Sequence, residues 1–172
     1  GELARKLLGE GRLVDAPYDQ PALAAAQSAQ CLAQPHTEVP LIFEASFEHR
    51  GVRVRVDALR RTVHGEHLIE VKSSASVKLE YLWDCAIQTW VLRGAGRSIT
   101  HVFVANVNRN FTLTTPDNYD GLLHLEDVTE AVENLLPKVE ALVQEMFTVI
   151  AKEEPNITTG RQCNSPYPCP YF

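Results

Sequence analysis

The chain has 172 residues and 45% hydrophobic content, enough for one domain with a sizeable core, and carries a formal net charge of −6. That acidity excludes a protein that grips nucleic acid by bulk electrostatics, so any DNA contact must be local. No apolar run approaches membrane-spanning length and no signal peptide is visible, so a cytoplasmic protein with no membrane partner is expected.

The chain opens Gly1-Glu2-Leu3 without an initiator Met and stops at Phe172 inside a Cys- and Pro-rich run, which reads as a fragment. Residues 2–8 have a short helical pattern ended by Gly9 and Gly11. Pro21 precedes an Ala-rich helix over 22–34, closed by Pro35, in which Cys31 is expected as a small, inert, buried thiol. Pro40 then introduces a strand over 41–48, with Phe43, Ala45 and Phe47 alternating with Ile42, Glu44 and Ser46. A turn centred on His49-Arg50 would set Glu44 near Arg55, on the side of Asp57; a one-residue slip would send it to the opposite face.

Residues 51–72, GVRVRVDALRRTVHGEHLIEVK, carry the most informative pattern. The valines at 52, 54 and 56 take one parity and Arg53, Arg55 and Asp57 the other, as in a strand with one buried face. His64-Gly65 offers a turn, and residues 67–71 return as the second strand of a hairpin, with Glu70 and Lys72 sharing a side. Asp57 and Glu70 then lie almost equally far from the turn. Two carboxylates and an ammonium converging on one face need a counter-ion or a chemical role. Arg50, Arg53, Arg55, Arg60 and Arg61 cluster around this stretch and are expected to be mainly solvated. His64 and His67 are read as turn residues rather than as a metal grip.

After a loop over 73–76, residues 77–92 form an amphipathic helix ended by Gly94 and Gly96, with Tyr81, Asp84 and Gln88 on one face at i, i+3, i+7. That polar face either looks at a site or is a solvated stripe. Residues 99–107 read as a buried strand, followed by a polar Asn- and Thr-rich segment. Asp127 with Glu130 marks a helix start, and apolar spacing runs to about Ala151, with Pro137 beginning a second helix or kinking the first. From Pro155 the chain has too many breakers for regular structure. Residues 1–154 are therefore read as one domain and 155–172 as a Cys/Pro-rich tail.

A strand-borne Asp followed by Glu-x-Lys on the next strand suits phosphodiester hydrolysis. Carboxylates hold Mg2+ or Mn2+, the ion activates water and offsets phosphate charge, and the lysine orients or deprotonates the water or stabilises the transition state. Cys163-x5-Cys169 reads, from spacing alone, as inert thiols or half a zinc site.

The sequence resembles the PD-(D/E)XK nuclease superfamily, in its RecB-like branch, through Gly51-x5-Asp57, Leu68-Ile69-Glu70-Val71-Lys72 and Gln88. It is similar there to the CRISPR-associated adaptation exonucleases and to uncharacterised bacterial proteins with a cysteine-bearing tail. The resemblance implies an α/β fold with a central mixed β-sheet flanked by helices, a restriction-endonuclease-like core, and metal-dependent, exonuclease-type cleavage of DNA. It implies Asp57, Glu70 and the Val71 backbone carbonyl as metal ligands, Lys72 as the catalytic lysine, and Gln88 at the site or on the DNA. A further ligand would be Glu44 or Glu2. The branch has an aromatic residue four positions after the glutamine, where Leu92 stands here. The resemblance further implies Cys163 and Cys169 as two ligands of an iron–sulfur cluster, completed beyond the present chain ends. The rival readings are a catalytically inactive nucleic-acid-binding or scaffold module of the same fold, and an ordinary mixed-charge hairpin.

Overall fold

The computed structural model describes residues 1–154, 156–165 and 167–170. Two compact units divide the chain, Gly1–Val139 and Glu140–Phe172.

The first unit is α/β. Its elements are α1 (Glu2–Leu8), β1 (Arg12–Leu13), α2 (Pro21–Ala33), β2 (Leu41–His49), β3 (Val52–Thr62), β4 (Gly65–Val71), α3 (Leu79–Gly94), β5 (Ile99–Val107) and β6 (Leu123–Asp127), with α4 (Thr129–Ile150) beginning within it. The six strands form one mixed sheet in chain order, parallel at β1–β2 and β4–β5 and antiparallel elsewhere. The parallel β4–β5 step requires a crossover, which α3 supplies.

β2 and β3 join through Arg50-Gly51, both at positive φ (47° and 79°), the backbone that a two-residue hairpin demands. The turn lies one residue later than His49-Arg50. Moving a turn centre by one residue moves cross-strand partners by two, so side chains keep their faces. Ser46 therefore sits opposite Arg55, and Glu44, between the Phe43–Ala58 and Ala45–Val56 pairs, lies level with Asp57. The second hairpin turns at Val63-His64, with Thr62 opposite Gly65 and Ala58 opposite Ile69. One step further along, Asp57 faces Glu70.

One side of the sheet carries Leu41, Phe43, Ala58, Ile69 and Ala105, packed with Leu8 of α1 and flanked by Val71, Phe103, Leu123 and Leu125. The other side buries Ile42, Leu59, Leu68, Val102 and Val104, and Glu70 there bonds to Gln88 of α3. α3 closes on β2 where Gly94 meets the His49 ring, leaving no room for a Cβ.

The arginines seen as a cluster in sequence are mostly structural ties. Arg61 donates to the carbonyls of Cys31 and Leu32, satisfying acceptors at the end of α2, and to that of Val39 in the loop beyond it, at 3.2–3.3 Å. Arg55 donates to the Val14 and Ala16 carbonyls at 2.8 and 2.7 Å, Arg60 reaches the Leu8 carbonyl, and Arg53 bonds Glu48.

Asp127 Oδ1 accepts from Thr129 N–H and hydroxyl at 2.9 and 2.6 Å, capping the start of α4. Pro137 lies inside α4, which continues as one helix. The second unit holds the rest of α4 and the tail, whose one regular element among the described residues is a 3-10 turn, Arg161–Cys163. Pro155, Pro166, Tyr171 and Phe172 lie outside the described residues. No helix among the described residues is long and apolar enough to cross a membrane.

Candidate active site

The hairpin and α3 bring Asp57, Glu70, Lys72 and Gln88 together, and they add Asp84. Lys72, just past the end of β4, is fixed by its N–H to the Ala105 carbonyl (2.9 Å). Its Nζ donates to Glu70 Oε1 at 2.6 Å and to Asp84 Oδ2 at 2.7 Å. Gln88 Nε2 donates to Glu70 Oε2 and to Asp84 Oδ1, both at 2.9 Å. The four side chains close a ring in which each carboxylate accepts from both the ammonium and the amide. Asp57 joins through Oδ2, which accepts the Val71 N–H at 2.7 Å. The structure thus brings Val71 into contact with the site through its N–H, whereas the resemblance implied its carbonyl.

Burial grades across the ring. The Glu70 side chain is 9% exposed, that of Lys72 22% and that of Asp84 41%. Burial first, and Asp57 second, push the Glu70 carboxyl up from 4.5 to about 7, against the hydrogen bonds from Lys72 and Gln88. Burial alone would lower the Lys72 ammonium, but its bonds to Asp84 and Glu70 outweigh that and hold it above its ordinary range. One ammonium between two acids is secure, whereas Glu70 lacks enough positive charge to offset both its burial and Asp57. The Tyr81 ring lies 5.2 Å from Lys72 Nζ on the same helix face. Beneath the site the Cys85 thiol is buried and pushed up by burial, then by Glu70 and Asp84, which leaves it unreactive.

Asp84 is the member to which sequence reasoning assigned no role. Its i, i+4 relation to Gln88 placed it on the right face, but only the closed ring shows that it shares both donors of Glu70.

The remaining candidates stand apart from the ring. Glu44, at φ 59°, directs Oε2 to Arg55 Nε at 3.1 Å. Glu2 pairs with Lys6 at 2.9 Å on the exposed surface of α1. His67 is not a turn residue: it lies within β4, half-buried, and packs against His101 and Phe103 at centroid distances of 4.7 and 5.7 Å. Leu92 is fully buried, a core position. Cys31 is half-buried, and all four cysteines are free thiols. Within the second unit, Cys169 N–H donates to the Cys163 carbonyl at 2.7 Å, so the backbone folds the two cysteines toward each other.

Among the described residues no three His, Cys, Asp or Glu side chains form a ready-made metal set. In the ring, Glu70 Oε1 is capped by the ammonium, Oε2 by the amide, and Asp57 Oδ2 by a backbone N–H. Two features nevertheless fit a hard divalent cation. Three carboxylates against one ammonium leave a formal surplus of two negative charges when all are ionised. Gln88 Oε1 is buried and has no hydrogen-bond partner among the described residues, an acceptor suited to the water that such ions retain.

No family model matches the chain, and no curated protein is similar to it. Among solved structures, the crystal structure of SSO0001 is similar at a TM-score of 0.32 and 13% identity, over 73% of this chain and 66% of that one. The chain is an α/β protein with a six-stranded mixed sheet and a carboxylate–lysine–glutamine ring at the C-terminal end of β4.

Proposed function

We propose that this chain is a metal-dependent deoxyribonuclease of the PD-(D/E)XK type, RecB-like, with a restriction-endonuclease-like core. The observation that carries the reading is the convergence of Asp57, Glu70 and Lys72 on one hairpin face beneath Gln88, with Lys72 Nζ 2.6 Å from Glu70. Asp57 and Glu70 would hold Mg2+ or Mn2+, with Glu44, level with Asp57 on β2, as a further carboxylate and the Val71 carbonyl as a fourth donor. The ion would supply Lewis acidity toward the phosphate and lower the pKa of the attacking water. Lys72 contributes a fixed positive charge. Held protonated by two carboxylates, it stabilises charge on the phosphate or leaving oxygen rather than taking a proton from water. Gln88 fixes the Glu70 carboxylate through one oxygen and keeps Oε1 as an acceptor inside the site. Exonuclease-type cutting, a cytoplasmic setting, and an iron–sulfur cluster held partly by Cys163 and Cys169 belong to the same proposal.

Linear DNA incubated with the protein and Mn2+ should be degraded, and EDTA should stop it. Asp57→Ala and Lys72→Ala should each lower the rate by at least about a hundredfold; unchanged activity in either variant refutes the assignment. A second reading, an inactive DNA-binding or scaffold module, is favoured by one observation: both Glu70 oxygens already have donors. DNA binding that survives Glu70→Ala, with no cleavage under any metal, would select it.

A further inference from the structure

The two donors on Glu70 are not equivalent. Gln88 is buried at 5% exposure and its amide is held between Glu70 and Asp84 at 2.9 Å from each, so the packed core leaves it little room to move and it carries no charge for a cation to repel. Lys72 is more exposed, stands on a flexible four-carbon stem, and already has a second acceptor, Asp84 Oδ2, at 2.7 Å on the outer side. The Tyr81 ring faces the same ammonium from α3. Both donors also reach Asp84, but the ammonium is the more exposed and flexible of the two, so it is the one that can yield to an incoming cation. Mutual repulsion of two cations on one carboxylate oxygen drives it the same way.

We propose that Lys72 is the internal counter-ion of the carboxylate pocket and exchanges with a divalent cation at Glu70 Oε1, while Asp84 is the positioning residue that receives and keeps the displaced ammonium in the site. The inference rests on the metal-dependent function proposed above and adds to it a competition between the protein's own cation and the added one. It assigns Asp84 a task that the carboxylate pair and Gln88 do not perform. Without Asp84 the ammonium has only Glu70 to hold, and it resists displacement.

The experiment is Mn2+ binding by isothermal titration, without substrate, at about pH 8.5, where proton competition at the carboxylates is small. Wild type should bind, and Asp57→Asn should lose binding. Lys72→Ala should tighten binding by about tenfold or more, since it removes the competing charge. Asp84→Asn should weaken binding at least about threefold more with Lys72 present than in a Lys72→Ala background, because its effect acts through the ammonium. If Asp84 acted only as a distant negative charge or as a ligand, the loss would be equal in both backgrounds, and that result overturns its role. Lys72→Met keeps the volume of the stem and carries the comparison if the alanine variant does not fold. Binding that needs Asp57 but is no tighter without Lys72 overturns the exchange alone. No Mn2+ binding by wild type or either Lys72 variant overturns the metal-dependent function and the exchange with it.

Discussion

Glu70→Gln should remove a pH-dependent weakness from the fold. In wild type the folded carboxyl holds its proton more tightly than the unfolded one, its value being pushed from 4.5 to about 7 by burial and then by Asp57. Stability linked to this group is therefore present below the ordinary value and is lost as pH rises toward about 7. At 1.36 kcal/mol per pH unit that interval corresponds to about 3 kcal/mol, a large share of a small domain's total stability. The group is 9% exposed, so solvent screens little of it.

The assay is urea unfolding of both proteins from about pH 4 to 8 with chelator present, read as the difference between them. The difference matters because His67 tilts the other way. Its imidazole is lowered by burial and then by His101, so its linked stability is lost as pH falls through its ordinary value. Subtraction cancels His67 and leaves Glu70. The variant also alters bonds to Lys72 and Gln88, so its absolute stability is less informative than its slope. The wild-type advantage should shrink by about 3 kcal/mol between pH 4.5 and 7. A pH-independent difference would refute the placement of an ionisable, desolvated carboxyl at the centre of the ring.

Ser28→Ala should lower stability by about 1–3 kcal/mol in the same assay, because the buried Ser46 N–H would lose its acceptor at 2.9 Å and the α2–β2 junction its polar tie. Gly94→Ala should cost about 1–3 kcal/mol, since the new Cβ would collide with the His49 ring; His49→Ala in the same chain should recover part of that loss. Mg2+ at a hundredfold above its dissociation constant should stabilise wild type by about 2.7 kcal/mol near pH 8 and by less at pH 5, where Glu70 is protonated. The thermal midpoint in a pH series reads this directly, and a shift that persists in Asp57→Asn would mean that the ion binds elsewhere.

The long elements were legible because their patterns are long. β5 and α1 match the expected bounds, β2 extends one residue further, and the hairpin's equal arms gave the opposition of Asp57 and Glu70. β1 and β6 were not seen, for a physical reason. Two residues, and a five-residue run reading Leu-His-Leu-Glu-Asp, become strands through the edges that pair with them rather than through their own pattern. Arg50 and Arg53 are exposed, as expected, but Arg55, Arg60 and Arg61 misled in a related way. Their partners are backbone carbonyls of α1, α2 and the segments on either side of α2, distant in sequence, and no local pattern announces a carbonyl acceptor. The same limit hid the bond between Asp57 and the Val71 N–H, and it left Asp84 as one of several polar residues on a helix face.

An ordinary mixed-charge hairpin would leave its acids in water, where ion pairs add little and ordinary values persist. Glu70 is instead buried beside a second carboxylate, with two donors committed to it. A purely structural network would have ended with its charges matched and its acceptors filled. This one keeps a formal surplus of negative charge and an unfilled Gln88 Oε1 among the described residues. Replacing the ring with apolar residues of similar volume would be neutral or stabilising in a structural network. Under the proposed function the ring keeps its polar form for a divalent cation, and the titration of Lys72 and Asp84 variants with Mn2+ measures whether it does.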